Sequence, residues 1–316
     1  MRIFRNSQSP GDGETEAVAA IGNFDGLHLG HESVIRLAQE IARKEGRPSG
    51  IVTFEPHPRE FFAPEAAPFR LMGSESRIAR LRELDVDLLF EMTFNSALAS
   101  LSAEDFADSV LRQKLHLAHV VVGSDFRYGH RRCGSVETLA ASGRLCGFEV
   151  TVAPELSDRN GKCSSSAIRK ALAEGRMRDA SRMLGRRYSI EGRVEKGDQR
   201  GRHLGFPTLN ISIAGLHPPK FGVYAALANV RTGPFAGRYR GSASIGIRPT
   251  FGESTPLLEI FLFDFSNCLY GELVSVELVE FQREELKFKS ADELVDQMKN
   301  DCERTLDILE SAGATN

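Results

Sequence analysis

The hydrophobic pattern of this chain changes period once, and that change restricts the fold to two differently built parts. Up to about residue 185, short apolar segments alternate with stretches whose apolar residues recur every three or four positions. Beyond Tyr188 the helical period gives way to short alternating segments divided by glycine- and proline-rich turns. Alternating strands and helices build a parallel, doubly wound sheet, whereas consecutive short strands build an antiparallel barrel or sandwich. A chain of 316 residues has room for both. The boundary is expected between residues 185 and 186, giving domains 1–185 and 186–316.

In the first part the pattern predicts a strand over 16–21 and a helix over 31–44, with Val34, Ile35, Ala38 and Ile41 on one face and Gly46 and Pro48 ending it. A buried strand over 50–54 completes a βαβ unit. The alternation continues as helix 75–84, strand 88–92, helix 103–115 behind a Ser102 cap, strand 119–122, helix 136–141 and strand 148–152. Two short helices, 167–174 and 177–184, are expected to close this half. The second part reads as strands over 188–194, 223–230, 239–245, 257–263 and 274–281. A last helix over 291–309 carries Leu294, Met298, Leu306 and Leu309, expected to pack on the barrel.

A formal net charge of -3 gives no electrostatic reason to expect nucleic acid as a partner. The five cysteines are scattered, with no C-x-x-C pair, so neither a disulfide framework nor a zinc site is suggested and a reducing cytoplasm is the simplest home. No apolar run approaches the roughly 20 residues that span a bilayer, and neither export nor membrane insertion is expected. The oligomeric state is left open.

The run Gly22-Asn23-Phe24-Asp25-Gly26-Leu27-His28-Leu29-Gly30-His31 lies where the first βαβ strand hands over to its helix. His28 and His31 fall on one face if the first helical turn includes them, beside unpaired backbone N–H groups and the positive end of the helix dipole. Such a corner takes an anion, and Gly30 has no β-carbon to keep a phosphate away. Two histidines and three glycines can also make a plain loop; the strand before and the helix after favour the phosphate site.

Three further motifs follow. In Thr53-Phe54-Glu55-Pro56-His57-Pro58-Arg59-Glu60 two prolines stiffen the chain around His57, as a rigid ligand wall or a stiff surface turn. Gly123-Ser124-Asp125-Phe126-Arg127-Tyr128-Gly129 offers an aromatic pair to stack on a planar ring and a carboxylate to orient it, or a turn whose aromatics cap the core. Ser164-Ser165-Ser166-Ala167-Ile168-Arg169 opens a helix with hydroxyls and an arginine able to fork onto a polyphosphate; one serine is an ordinary N-cap.

In the second part, a basic glycine-rich loop containing Gly197 and Arg202 leads into Leu204-Gly205-Phe206-Pro207-Thr208-Leu209-Asn210. Its backbone can wrap an anion, and Thr208 and Asn210 are oxygen ligands facing one side of an extended segment, suited to Mg²⁺. The plainer reading is a solvated loop before a strand. Glu259 is a carboxylate on the strand expected over 257–263, where most glutamates face water.

The motifs H-L-G-H, T-F-E-P-H-P-R-E, V-G-S-D-F-R-Y-G and S-S-S-A-I-R, in this order, resemble the Rossmann-like nucleotidyltransferase module of bacterial bifunctional FAD synthetases. G-F-P-T-L-N, G-V-Y-A, I-G-I-R-P-T-F, L-Y-G and R-E-E-L-K-F resemble the riboflavin kinase module of the same proteins, so the likeness covers nearly the whole chain in the family's domain order. It implies an enzyme acting on riboflavin, FMN and ATP with Mg²⁺. Riboflavin and ATP give FMN and ADP in the barrel; FMN and a second ATP give FAD and pyrophosphate in the first domain.

By that resemblance His28, Gly30 and His31 hold the ATP phosphates, with Gly22 and Phe24 beside them, and Asn23 contributes near the reacting α-phosphate. Ser164, Ser165 and Arg169 grip the triphosphate, while His57, Pro58, Asp125 and Phe126 line the flavin or adenine side. In the kinase module Gly197, Arg202 and Gly205 serve ATP, Thr208 and Asn210 hold Mg²⁺ and ATP, Glu259 is the catalytic base, and Arg283 belongs to a mobile flavin-side segment. The family usually has threonine at 166, alanine at 209, asparagine at 244 and aspartate at 268, where this chain has Ser166, Leu209, Ser244 and Cys268. Leu209 weakens the kinase only if it points at the nucleotide rather than into the barrel wall. Alternatives are a monofunctional variant, a flavin- or nucleotide-sensing binder, and an H-x-G-H nucleotidyltransferase for another acceptor. The intact His28, His31, Thr208, Asn210 and Glu259 argue against a pure binder.

Overall fold

The computed structural model describes residues 1–5, 11, 15–158, 161–197, 201, 204–250 and 253–313; the side chains of 248–250 and 253–255 lie outside that description. The chain forms two compact units: Met1–Ala67 with Ser74–Cys163, and Pro68–Gly73 with Ser164–Asn316.

The first unit is a parallel sheet in the order β1-β4-β3-β2-β5-β6, with β1 Arg2–Arg5, β2 Val18–Ile21, β3 Ser49–Glu55, β4 Leu88–Thr93, β5 His119–Gly123 and β6 Glu149–Ala153. Parallel strands carry helices on their faces and are buried on both, which is why Val18–Ile21 is apolar throughout. The helices are α1 Leu29–Glu45, α2 Pro58–Phe62, α3 Ser74–Glu83, α4 Ser96–Ser100, α5 Ala103–Asp105 and α6 Val136–Cys146; a small ribbon pairs β7 Ser157–Asp158 with β8 Gly161–Lys162. From β2 the chain winds outward to β3 and β4, then returns to place β5 on the other side of β2. That reversal makes the carboxyl ends of β2 and β5 a topological switch point, where open sheets of this kind bind ligands.

Beyond the short helices α2 and α4 and the β7–β8 ribbon, which the sequence reading does not include, this unit differs from it in β1 and in the helix after Ser102. β1 is an edge strand of four residues, two of them arginines, that pairs with β4 through Arg2–Leu88 to Arg5–Glu91 and contributes Phe4 to the core. The helix expected over 103–115 starts behind its Ser102 cap, then widens into a π-helix at Phe106–Lys114, closed by the Leu115 amide donating to the Val110 carbonyl at 2.9 Å.

The second unit is an antiparallel sheet in the order β10-β13-β12-β11-β14-β9, with β9 Tyr188–Arg193, β10 Thr208–Ser212, β11 Gly222–Val230, β12 Gly237–Thr250, β13 Glu253–Leu262 and β14 Leu273–Arg283. The sheet curls until its edges meet in an antiparallel bridge, where the Glu195 amide donates to the Asn210 carbonyl at 2.8 Å. Helices α7 Ser165–Ala173 and α8 Met177–Leu184, which the sequence reading attaches to the first half, group with this unit. The physical reason is that α8 lies against β9 and β14, and the Lys220 amide donates to the Leu172 carbonyl at 2.9 Å.

The last helix, α9 Ala291–Ser311, packs Leu309 and Ile308 against Ala225, Leu227 and Val279. Its buried face is Asp301, Thr305 and Leu309, so two of those three positions are polar. Both polar groups are satisfied by β14: Asp301 by Arg283 and Thr305 by Gln282.

Candidate active sites

The turn after β2 is held in a conformation that side chains rarely adopt. Phe24 and Leu27 have φ of +50° and +41°, and both are buried. Backbone strain of this kind persists only where packing over-determines it, and here the two buried side chains anchor the turn. Asn23 is half-buried, and its carbonyl accepts from the fully buried Thr53 hydroxyl at 3.3 Å, tying the exit of β2 to β3.

His28 is the N-cap of α1: its Nδ1 accepts the His31 amide at 3.2 Å. In the neutral ring the proton therefore sits on Nε2. The rings of His28 and His31 stack with centroids 3.7 Å apart, and Phe24 meets His31 edge-on. A β-carbon on Gly30 would come within 3.1 Å of the His28 ring and 3.2 Å of the Cys163 carbonyl, so Gly30 lets the helix start close to that ring. Half-buried Gly22 likewise lies under the Phe24 ring. His31 Nδ1 is buried with no hydrogen-bond partner among the described residues. Burial, and then the neighbouring His28, hold the His31 pKa well below the ordinary imidazole value.

The other expected residues of this unit follow β3 and β5. His57 caps α2, its Nδ1 accepting the Arg59 amide at 3.0 Å while Glu60 accepts the His57 amide at 3.2 Å; Pro58 opens the helical turn. Exposed Asp125 pairs with Lys162 at 3.2 Å. The half-buried Phe126 ring stacks on Tyr128, centroids 5.6 Å apart, and Tyr128 is itself a core residue. The ends of β2, β3 and β5 thus carry the three expected motifs of this unit at one edge of its sheet.

In the second unit, Ser164 caps α7, accepting the Ala167 amide at 3.2 Å, and half-buried Ser165 follows in the first turn. Arg169 donates from Nε to the Phe69 carbonyl at 2.6 Å, with its guanidinium over the Phe69 ring.

Across the barrel wall, Asn210 on β10 pairs with Glu259 on β13, and Glu259 pairs with Ser244 on β12. Directly opposite residues share a face, as do residues two apart, so Thr208, Asn210, Glu259 and Ser244 face the same way. The Thr208 hydroxyl donates to Glu259 Oε1 at 3.2 Å. Asn210 is buried, and its Oδ1 has no hydrogen-bond partner among the described residues. A β-carbon on Gly197 would sit 2.5 Å from Asn210 Nδ2, so only glycine lets that backbone approach so closely. Leu209 pairs with the buried Ile260 on the opposite face, with Ile211, and so points away from Thr208 and Glu259. A hydroxyl, an orphaned amide oxygen and a carboxylate are hard donors, and this set fits Mg²⁺.

Gly205 lies exposed in the turn before β10 with φ of +88°, and Arg202 lies outside the described residues. Arg283 ends β14 and forks onto Asp301, Nε to Oδ1 at 2.8 Å and Nη2 to Oδ2 at 2.5 Å, with Nη1 donating to the Glu284 carbonyl at 2.8 Å. Sequence reasoning missed Asp301 and Phe69, because each acts on a residue distant in the chain and no local spacing marks it.

Two family models match, FAD synthetase over residues 12–167 and riboflavin kinase over residues 184–309. The bifunctional riboflavin kinase/FMN adenylyltransferase of Haemophilus influenzae is 38% identical over 283 residues, which cover 90% of this chain and 91% of the relative. This chain belongs to the bifunctional riboflavin kinase/FMN adenylyltransferase family. The member of that family from Escherichia coli K12 is 36% identical over 300 residues, covering 95% of this chain and 94% of its own. A solved structure from Streptococcus pneumoniae, which bears the name macrolide-efflux protein, aligns with a TM-score of 0.79 at 32% identity over 91% of this chain and 92% of that one. Among the described residues no helix is long and apolar enough to cross a membrane. The bifunctional family's two models fall in chain order on the parallel sheet and on the curled antiparallel sheet.

Proposed function

We propose that the two reactions of this bifunctional enzyme are divided between two residue sets, one around His28 and His31 and one around Thr208, Asn210 and Glu259. The enzyme phosphorylates riboflavin to FMN with ATP, then adenylylates FMN to FAD with a second ATP, releasing pyrophosphate. The observation that carries the division is that each compact unit has its own partly buried polar constellation: the stacked imidazoles in one, and the Thr208–Glu259 hydrogen bond beside the orphaned Asn210 oxygen in the other. The functional boundary between the modules is placed at residues 185 and 186.

In the kinase step Glu259 takes the proton of the riboflavin 5′-hydroxyl as its oxygen attacks the γ-phosphorus and ADP leaves. The Thr208 hydroxyl orients that carboxylate. Thr208 and Asn210 hold Mg²⁺, which when bound neutralises charge on the phosphate oxygens. Gly197 and Gly205 line the nucleotide side, Arg202 serves ATP as its motif implies, and Arg283 orders the flavin side from the end of β14.

In the adenylyl step a phosphate oxygen of FMN attacks the α-phosphorus of ATP in line and pyrophosphate leaves. Covalent participation is not required; positioning and charge stabilisation are. His28, Gly30 and the N-terminus of α1 hold the phosphates, His31 donates from within the stack, and Phe24 acts through His31. Asn23 serves the reacting phosphate, with Gly22 giving it room. Ser164, Ser165 and Arg169 keep the triphosphate grip that their motif implies, and His57, Pro58, Asp125 and Phe126 bound the flavin or adenine. A reducing cytoplasm suits a chain whose five cysteines are all thiols.

The test is a chromatographic time course from riboflavin, ATP and Mg²⁺. Wild type passes through FMN to FAD. His28→Ala accumulates FMN, whereas Glu259→Gln makes FAD only from supplied FMN. Loss of both steps by either substitution, with the circular dichroism unchanged, contradicts independent sites.

A further inference from the structure

Pro68–Gly73 lies between α2 and α3 in sequence yet belongs to the second compact unit. Its attachment is specific. The His217 amide donates to the Arg70 carbonyl at 2.7 Å, Arg70 and Leu216 form a parallel bridge, and Phe69 and Leu71 are buried. Arg169 meets this segment in two ways at one residue. Its Nε donates to the Phe69 carbonyl at 2.6 Å, and its guanidinium carbon lies 5.1 Å from the centroid of the Phe69 ring. The Arg169 carbonyl is held as well, by His217 Nε2 at 3.0 Å.

A guanidinium is planar, so fixing one face and the Nε edge leaves the plane and the direction of the Nη edge determined. An arginine on an unconstrained stem would have to be ordered when an anion binds; this one is ordered beforehand. We infer that Phe69 is a positioning residue for Arg169, presetting the guanidinium for the polyphosphate of ATP in adenylyl transfer. The inference rests on the reading of Arg169 as a triphosphate ligand. It extends that reading to a residue outside every motif, since Phe69 stands 100 positions from Arg169 in the chain.

Phe69→Leu keeps an apolar side chain but removes the ring face. In the full-length enzyme with FMN and varied ATP, KM for ATP in adenylylation is expected to rise about three- to tenfold, with kcat within about twofold of wild type. Riboflavin phosphorylation by the same preparation stays at the wild-type rate, which reports that the unit holding Phe69 remains folded. Phe69→Tyr restores the KM, and Phe69→Leu adds nothing in an Arg169→Ala background. Phe69→Met repeats the test if the leucine variant fails to fold. If Arg169→Ala leaves KM for ATP unchanged, the reading of Arg169 is wrong and the inference goes with it. If Arg169→Ala raises that KM while Phe69→Leu does not, or if Phe69→Leu lowers both activities in parallel, Phe69 does not position the arginine.

Discussion

The imidazoles of His28 and His31 lie face to face, their ring centroids 3.7 Å apart and their planes 18° from parallel. Two imidazolium ions do not share such a space without a counter-charge. Burial and then the His28 neighbour push the His31 pKa well below its ordinary value, so this ring is neutral at physiological pH. A bound polyanion reverses the balance, because it favours the protonated form.

A pH dependence of stability follows, with a definite sign. In the unfolded chain the His31 ring titrates near its ordinary pKa of about 6.5. Below that pH the unfolded state binds a proton that the folded state refuses, so the stability contribution is full above about pH 6.5 and is lost as pH falls toward the depressed folded pKa. The loss approaches about 1.4 kcal/mol per pH unit for one proton. His31→Asn is expected to flatten the decline of the thermal midpoint between roughly pH 6.5 and 5; equal slopes in both proteins would show that the ring is not held neutral.

Gly197 approaches the Asn210 side chain so closely that a methyl group has no room. Gly197→Ala displaces Asn210 or the loop, and overpacking of this kind costs about 1–3 kcal/mol. The expected readout is a rise of about tenfold or more in KM for ATP in riboflavin phosphorylation, with adenylylation of supplied FMN at wild-type rate. Unchanged kinase kinetics would mean that the Asn210 oxygen has no part in nucleotide or metal binding.

Thr208 and Glu259 offer a cleaner separation of hydroxyl from methyl. Thr208→Val removes the O–H that Glu259 accepts and one hard oxygen donor, while Thr208→Ser keeps both. The valine variant should lose about a hundredfold or more in kinase kcat/KM and need more Mg²⁺ for half-maximal rate, and the serine variant should stay within about tenfold of wild type. Equal loss in both would assign the effect to packing of the methyl group.

Much of this architecture is legible in the sequence because burial writes it there. The strand at 18–21 and the helix behind it show their periods, and Gly46 ends that helix in the left-handed conformation expected of it. His28 and His31 are legible for the same local reason. What escapes is long-range. β1 is too short and too charged to show a period, and its partner β4 is far along the chain. The π-helical turn has no glycine or proline to announce it. Pro68–Gly73 and α7 find their places through contacts with residues beyond 160, and helical spacing cannot say which unit a helix will cover. The terminal helix is the sharpest case, since its buried stripe was expected from leucines and a methionine and is instead led by Asp301 and Thr305.

That polar stripe makes the last prediction. Asp301 is buried and receives a fork from Arg283, with Gln297 donating to the same Oδ1 at 2.9 Å. Removing one partner strands the other: Asp301→Ala leaves the Arg283 charge uncompensated in a poorly solvated place and should destabilise the second unit by about 3 kcal/mol. Exchanging both, as in Arg283→Met with Asp301→Leu, removes the charge and its desolvation together and should recover most of that stability. Urea denaturation of the two variants measures this, and a double variant no more stable than Asp301→Ala would show that the pair holds the helix by itself. The kinase assay then separates stability from binding. If Arg283 orders the flavin side, the double variant regains its fold but not its riboflavin KM, since the end of β14 is no longer tied through a guanidinium to the terminal helix.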